Sequence, residues 1–333
     1  MTAPGPSVGI VGAGNMARAH AAAWEAIGAE LYFYAPSGSA AVADDFGGTE
    51  CSSLAALYAA AELVDICAPT PHHLNLARSA VEAHRHVLCE KPLSRSATEG
   101  RQMLALAAAH RRLLMPAHVV RYFPQYAAAH QAVEDGRLGA MAVLRFHRSG
   151  ATPQRPWFTD DNASGGLILD QLVHDIDQAV WMAGPVATVY ASENRSERSG
   201  AQAQTAHVIL THRSGAVSHC RGHWGAEGTA FSFGFDIAGT LGTLTYDSRK
   251  NTGFEMSTTR GASPTEDGFM PDLGYFTNPY EVQARDFLQA AQTGSSPRTS
   301  AEEGLYAVQL ALAAIRSVAE HRAIDVDDEG DHS

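Results

Sequence analysis

Two side chains able to exchange a proton lie one helical turn apart in the segment that follows Gly165-Gly166. Asp170 and His174 are spaced i, i+4, and Asp177 follows at i+7, so one helix face would carry all three. Histidine titrates near neutral pH, and a carboxylate one turn away can orient its ring. The pattern predicts a proton-transfer pair, Asp170 and His174. A structural histidine is the simpler alternative, and metal ligation is disfavoured because no third ligand matches.

A second candidate is Lys91, one of only two lysines in a chain whose Lys and Arg together number 24. An ammonium can release its proton near neutral pH and a guanidinium cannot, so this lysine points to a role that arginine cannot fill. It stands in Glu90-Lys91-Pro92 after a strand-like run, where Glu90 can orient it and Pro92 can fix the turn through a cis bond. We predict a cationic donor to a substrate oxygen; a surface ion pair is the alternative reading.

A glycine-rich turn precedes both, between the first strand-like run and a helix-like run. Its first glycine permits a tight turn, its second lets the backbone approach a pyrophosphate, and the small Ala17 lets helix and strand pack closely. The pattern predicts dinucleotide binding by the turn residues Gly12, Ala13, Gly14, Asn15 and Met16.

The residue that would choose between NAD and NADP is expected about 20 residues further on, at the end of the second strand. Ala35 stands there in place of the acid that holds the ribose 2′-hydroxyl in NAD sites. Without that carboxylate a 2′-phosphate is not repelled, and Ser37 or Ser39 can donate to it. We therefore expect NADP or NAD as cofactor, with NADP favoured.

The predicted helices and strands that must position these residues follow two sequence patterns. Up to about residue 120, short apolar strand-like runs alternate with Ala-rich helix-like runs, which is typical of a parallel sheet. Beyond it, consecutive β-rich segments favour an antiparallel sheet, interrupted by a helix over 167–183. The fold class expected is α/β: an N-terminal Rossmann domain with a doubly wound parallel sheet (1–120), a C-terminal α/β domain with an open, mainly antiparallel sheet (121–324), and an acidic tail (325–333).

Composition narrows the classes of partner. The net charge of −12 and the lack of any Lys/Arg-rich block argue against nucleic acid and against a membrane surface. No apolar run approaches the roughly 18 residues that cross a bilayer, and no signal peptide is evident, so we expect a cytoplasmic protein. The four cysteines form no Cys-x-x-Cys pair and favour reduced, structural thiols.

Taken together, these motifs make the chain resemble the glucose–fructose oxidoreductase / inositol dehydrogenase (Gfo/Idh/MocA) family. The order of the three motifs is specific, and the resemblance spans essentially residues 7–326. The residues that carry it are Gly12-Ala13-Gly14-Asn15-Met16-Ala17, Val64-Asp65-Ile66-Cys67-Ala68-Pro69-Thr70-Pro71, Glu90-Lys91-Pro92, Gly165-Gly166, Asp170, His174 and Asp177.

The resemblance implies specific roles for these residues. Lys91 is expected beside the nicotinamide, with Asp170 and His174 facing the substrate and His174 transferring the proton. The cofactor edge is expected to include Pro69, Thr70, Glu90, Lys91 and Pro92. The second domain is expected to bind substrate and to form a homo-oligomer, a dimer or tetramer, through the outer face of its sheet.

The function expected is hydride transfer between NAD(P) and a hydroxyl or keto carbon of a sugar, polyol or inositol-like substrate. Lys91, Arg121, Trp157, Asp170 and His174 are the expected substrate contacts, although Trp157 could equally be a core or lid residue. Two other functions stay open: a redox-assisted sugar lyase or hydrolase that reduces NAD(P) only transiently, and a non-catalytic NAD(P) sensor.

The many histidines predict no metal site. In particular, His72 and His73 are interpreted as positions in a surface loop.

Overall fold

The computed structural model describes residues 5–153, 156–198, 201–250, 255–258 and 278–326. These divide into two compact units. The first contains the described residues of Met1–Tyr122 and Phe276–Tyr306, and the second those of Phe123–Tyr275 and Ala307–Ser333. The functional division at residue 120 stays a prediction, and residues 327–333 of the expected acidic tail lie outside the described residues.

Six parallel strands form the sheet of the first unit, in the order β3-β2-β1-β4-β5-β6. They are β1 (Ser7–Val11), β2 (Glu30–Tyr34), β3 (Thr49–Glu50), β4 (Leu63–Ile66), β5 (His86–Glu90) and β6 (Leu114–Ala117). Every residue of β4 and β6 is buried, as expected for strands covered on both faces. The strand order reverses between β1 and β4, so the predicted Rossmann fold is confirmed.

Helices cover both sheets. They are α1 (Asn15–Ala26), α2 (Ser39–Asp45), α3 (Leu54–Ala60), α4 (His73–Glu82), α5 (Ala97–Ala109), α6 (Pro124–Glu134), α7 (Pro156–Thr159), α8 (Asp161–Ser164), α9 (Val173–Ala183), α10 (Pro279–Thr293) and α11 (Ala301–Glu320). Shorter turns are the 3₁₀ helices Thr70–His72 and Val119–Tyr122 and the π-helix Ile168–Leu172. Within the described ranges, none of the helices has the length and apolar character that crossing a bilayer requires.

The core of the first unit includes a helix that is distant in sequence. Trp24 of α1 and Phe287 of α10 pack edge to face, with ring centroids 6.3 Å apart. Both side chains are fully buried beside Val8 and Phe33 of the sheet. The late segment of the chain therefore completes the hydrophobic core that holds β1 and α1 together.

The second unit contains an eight-stranded, mainly antiparallel sheet in the order β13-β12-β11-β7-β10-β9-β8-β14. Its strands are β7 (Met141–Ala151), β8 (Val186–Arg198), β9 (Ala201–His212), β10 (Val217–Gly225), β11 (Ser232–Gly239), β12 (Gly242–Asp247), β13 (Glu255–Thr258) and β14 (Ile324–Asp325). Only the pairing of β7 with β10 is parallel among the described strands of this sheet. The predicted α/β domain with a mainly antiparallel sheet is confirmed.

Candidate active site

The glycine turn has the shape that a pyrophosphate requires. Gly12 has φ +133°, and a Cβ there would lie 2.6 Å from the carbonyl oxygen of Cys67. Its amide donates to the Tyr34 carbonyl at 2.9 Å, which closes the turn against β2. No side chain caps the start of α1 at Gly14, so the first amides of the helix remain available to an anion. The residues present fit a dinucleotide.

The carboxyl ends of β1, β4 and β5 bring three predicted segments to one edge of the parallel sheet. β1 runs into Gly12, β4 runs into the turn that contains Pro69 and Thr70, and β5 ends at Glu90. Lys91 follows directly and is partly exposed, and its peptide bond to Pro92 is cis. Ligands of doubly wound sheets bind at this edge, which is where the sequence placed the cofactor.

A buried chain of charged groups supports the segment that carries Lys91. Nδ1 of His20 lies 2.9 Å from a carboxylate oxygen of Asp65, and Nε2 lies 3.0 Å from Oε1 of Glu90. Trp24 donates its indole N–H to Asp65 at 2.7 Å, and the backbone amide of Lys91 donates to Oε2 of Glu90 at 3.0 Å. His20, Asp65 and Glu90 are each no more than 5% exposed. Sequence reasoning gave Glu90 a role and included Asp65 in a motif without a role of its own, but it missed His20.

Electrostatics assign an imidazolium to the middle of this chain. Burial alone lowers the pKa of His20, but the charge and hydrogen bond of Asp65 raise it well above the ordinary value. Burial raises the pKa of Glu90, but the contact with His20 and the charge of Lys91 lower it to below the ordinary value. The raised pKa of His20 and the lowered pKa of Glu90 therefore both favour an imidazolium next to the Glu90 carboxylate.

His20, Asp65 and Cys67 also form a group whose ligand atoms lie within 4.8 Å of one another, close enough for a metal ion. The contacts within the group favour another interpretation. The Nδ1 atom of His20 already contacts Asp65 directly, and the Trp24 N–H, a hydrogen-bond donor, points at the same carboxylate. Burial raises the pKa of the Cys67 thiol, which disfavours the thiolate that a metal needs. We assign the group to hydrogen bonding.

His73 is buried, so its interpretation as a surface-loop residue is wrong. Its Nε2 lies 2.9 Å from the Ala68 carbonyl, and its Nδ1 lies 3.1 Å from the Pro92 carbonyl and 3.3 Å from that of Leu93. The ring therefore bridges the segment after β4 and the segment after β5. No local pattern signals this, because His73 opens α4 and its acceptors lie 5 to 20 residues away.

The second unit carries Asp170, His174 and Asp177 on a helical segment that is not uniformly α-helical. A single helix was predicted over 167–183, but Asp170 lies in the π-helix Ile168–Leu172 and His174 in the first turn of α9. Asp170 and Asp177 are buried, and His174 is partly exposed. A π-helical turn widens the local spacing and is frequent at functional sites.

The π-helix rests directly on the sheet. A Cβ at Gly222 of β10 would lie 2.9 Å from Cγ of Leu172 and 3.2 Å from Cδ1 of Leu167. The glycine pair before the helix has positive φ, +83° at Gly165 and +65° at Gly166, which explains the choice of glycine there. These contacts fix the backbone that presents Asp170.

An ion pair that the sequence did not signal lies next to His174. Nη2 of Arg148 donates to Oδ1 of Asp175 at 2.9 Å, and both side chains are almost fully buried. Burial raises the pKa of Asp175 more than the Arg148 guanidinium lowers it. Gln171 donates to the Arg148 carbonyl at 3.0 Å, which ties the π-helix to β7. The pair anchors the start of α9 to the sheet.

Two predicted substrate contacts have other interactions. Arg121 is buried and donates to Glu303 and to the Arg298 carbonyl, each at 2.9 Å. This ties the 3₁₀ turn Val119–Tyr122 to the start of α11, which favours a structural role. Trp157 is partly exposed and stacks on Phe158, with ring centroids 3.8 Å apart.

The other predicted cofactor contact, Ser37, is exposed in the bend after β2. Its neighbour Gly38 has φ +82°, and a Cβ there would lie 3.5 Å from Cβ of Ala13 in the glycine turn. The bend that carries Ser37 therefore lies beside the turn predicted to bind the pyrophosphate.

Two family models match the chain. Residues 7–118 match the oxidoreductase family with an NAD-binding Rossmann fold, and residues 126–245 match the GFO/IDH/MocA C-terminal domain. The two matches correspond to the two kinds of sheet described above.

Curated relatives cover almost the whole chain. The inositol 2-dehydrogenase of Rhizobium meliloti (strain 1021) is 29% identical, over 96% of this chain and 98% of its own length. The levoglucosan dehydrogenase of Pseudarthrobacter phenanthrenivorans is 25% identical, with the same coverage. Among solved structures, GenD2 from gentamicin A biosynthesis, in complex with NAD, has a TM-score of 0.84 at 24% identity. That match covers 98% of this chain and 97% of GenD2, and it supports the fold.

Proposed function

The chain belongs to the Gfo/Idh/MocA family of NAD-binding oxidoreductases, and on that premise we propose that it transfers hydride between a nicotinamide dinucleotide and a ring or chain carbon of a sugar, polyol or inositol-like substrate. The observation that carries the proposal is the single sheet edge that holds the glycine turn and Lys91. Two relatives are named for inositol and levoglucosan, which supports a hydroxylated, carbohydrate-like substrate.

In the proposed alcohol oxidation, the reacting carbon loses a hydride and its hydroxyl group loses a proton. When bound, the nicotinamide would supply the acceptor for the hydride, the hydrogen with both electrons of the C–H bond, that the reacting carbon loses. The hydroxyl proton passes to the imidazole of His174, and the carbon–oxygen bond becomes a carbonyl. Asp170 orients the His174 ring, one turn away on the same helical segment. Ketone reduction runs the same transfers in reverse.

The proposed role of Lys91 is to donate a hydrogen bond to the substrate oxygen, where negative charge develops as the proton leaves. Its segment is held by Glu90 and, across the sheet edge, by His73. Trp157 remains a proposed substrate contact, whereas we omit Arg121 because its guanidinium already contacts Glu303 and Arg298.

The test uses the only two lysines of the chain as a matched pair. Lys91→Met should lower kcat by about 10²- to 10³-fold, as is usual when a positioned hydrogen-bond donor to a developing negative charge is removed. It should leave NADH or NADPH binding, followed by fluorescence titration, within a few-fold of wild type. Lys250→Met removes the other, exposed lysine and should change neither quantity. The substrate panel comprises polyols, aldoses and keto-sugars.

Three results would count against the proposal. Turnover retained by Lys91→Met would remove the role of the ammonium. Cleavage of a substrate bond without net change in nicotinamide absorbance would indicate the lyase or hydrolase alternative. Cofactor binding with no turnover of any panel member would favour a sensor.

A further inference from the structure

The bend after β2 brings a carboxylate from a neighbouring strand to the place where the expected acid is missing. β2 ends at Tyr34, whose carbonyl accepts the Gly12 amide, so Ala35 leaves the sheet directly beside the glycine turn. Gly38 then passes close to Ala13. In doubly wound folds the adenosine ribose lies against the residue that ends β2. The side chains around Ala35 are therefore those that a ribose 2′-substituent would meet.

Glu50 is one of these side chains, although it lies 15 positions beyond Ala35 in the sequence. It is the last residue of β3 and pairs with Phe33 of the parallel strand β2, and the Cys51 amide donates to the Phe33 carbonyl at 2.7 Å. The end of β3 is thus level with the end of β2. Glu50 itself is exposed.

Ser39 fixes the position of this carboxylate. Its hydroxyl donates to Oε1 of Glu50 at 2.7 Å and lies 3.4 Å from the Ala35 carbonyl. Ser39 is 3% exposed, so its own position is set by packing at the start of α2. The Ser39 hydroxyl therefore links the Glu50 carboxylate to the Ala35 carbonyl through Oε1. The other carboxylate oxygen, Oε2, is not engaged by Ser39.

Arg18, the one arginine of α1, is paired with an acid other than Glu50. Arg18, on α1 beside the glycine turn, makes an ion pair with Asp45 at the end of α2. That cation is therefore already balanced by an acid. A carboxylate accepts hydrogen bonds from ribose hydroxyls and repels a 2′-phosphate, since like charges brought together cost binding energy.

We propose that Glu50, positioned by Ser39, replaces the missing acid at Ala35 and selects NAD over NADP. This inference rests on the proposed function, because it requires a dinucleotide at the glycine turn. It reverses the preference for NADP expected from Ala35 alone. The reversal arises because β3, not β2, provides the discriminating acid.

The test compares binding of NADH and NADPH by fluorescence titration at fixed ionic strength, which needs no knowledge of the substrate. Wild-type protein should bind NADH more tightly. Glu50→Gln keeps an acceptor for Ser39 but removes the charge, and should lower the NADH preference about tenfold, mainly through tighter NADPH binding. Glu50→Arg should lower it further. Ser39→Ala should shift the preference in the same direction by a smaller factor.

The control is Glu62→Gln, which removes one exposed negative charge. Glu62 precedes the amino end of β4, whereas Glu50 lies at the carboxyl end of β3 in the same sheet. It should leave the ratio of the two dissociation constants unchanged. The inference is overturned if wild type prefers NADPH, if Glu50→Gln leaves the ratio unchanged, or if Glu62→Gln shifts it equally. Failure of both nucleotides to bind folded wild-type protein would instead overturn the proposed function.

Discussion

The imidazole of His20 illustrates how one buried residue can organise a site that it does not touch. It contacts Asp65 on one side and Glu90 on the other, and Glu90 accepts the backbone amide of Lys91. A buried carboxylate without a counter-ion is costly. Asp65 and Glu90 are both buried, and His20 contacts each of them. The charge of His20 therefore stabilises both the fold and the conformation of the Lys91 segment.

We predict that His20→Asn lowers the free energy of unfolding by about 3–5 kcal/mol at pH 5.5, because two buried carboxylates lose their shared cation. The pKa of folded His20 is raised, so its contribution is complete below its unfolded pKa of about 6.5 and is lost as pH rises through the folded pKa. The pKa of folded Glu90 is lowered, so its contribution is complete above 4.5 and is lost in acid. The difference in free energy of unfolding between wild type and His20→Asn should thus be largest between about pH 4.5 and 6.5. It should decrease as the pH rises through the folded pKa of His20.

Urea unfolding of both proteins at a series of pH values checks this. The matched control is His84→Asn, at an exposed histidine whose positive φ asparagine tolerates. A gap between wild type and His20→Asn that stays constant from pH 5.5 to alkaline pH would show that His20 does not carry the charge.

At the scale of elements, the π-helix is the feature that positions Asp170. The π-helix packs on β10 at Gly222, which has no side chain. Leu172 occupies the space that a side chain at Gly222 would need. The Gln171 amide adds a hydrogen bond to β7. The helix changes from π to α between Asp170 and His174. Their relative placement therefore depends on the contacts of the π-helix with β7 and β10, and not on α-helical spacing alone.

We predict that Gly222→Ala destabilises the protein by about 1–3 kcal/mol, because the new methyl group would overlap Leu172 in a packed interior. It should also lower kcat, since the backbone that carries Asp170 must move. Leu172→Ala alone should cost about 2–5 kcal/mol by leaving a cavity. The double variant should be less destabilised than the sum of the two, as measured by urea unfolding. Strict additivity would show that the two side chains do not share this space.

At the scale of the whole molecule, the outer face of the second unit's sheet bears on the predicted homo-oligomer. Tyr190, Ile209 and Val217 are 45%, 38% and 38% exposed. Tyr190 pairs with Ile209 across β8 and β9, and Ile209 pairs with His219, two residues from Val217 on β10. Val208 and Leu210, the two sequence neighbours of Ile209, are buried on the other face of the sheet. An exposed apolar patch of this kind favours association with a second copy.

We therefore expect the wild-type chain to form a dimer or tetramer, and Ile209→Glu, alone or with Tyr190→Glu, to shift it towards monomer by placing charge in an apolar contact. Light scattering coupled to gel filtration measures the change. Leu241→Glu is the control, since Leu241 is also 38% exposed but lies in the turn after β11. A monomeric wild type, or an oligomer indifferent to these changes, would contradict the expectation.

The sequence alone determined the features that depend on local pattern. Alternating apolar and Ala-rich runs predicted the parallel sheet, and the glycine spacing predicted the turn whose Gly12 has positive φ. At the start of α11 the Ser300 hydroxyl accepts the Glu303 amide and the Glu303 carboxylate accepts the Ser300 amide, which is another contact between residues close in sequence. Each signal acts within a few residues, so the order of residues is enough to show it.

Tertiary structure alone decided which side chains support these motifs. Glu50 meets Ser39 across 11 positions, His20 meets Asp65 across 45, and Arg121 meets Glu303 across 182. Other tertiary contacts showed that His73 is buried and gave Arg121 an ion pair with Glu303 that favours a structural role. Such pairs form only when strands align and distant helices pack, and no periodicity along the chain records which polar groups then become neighbours.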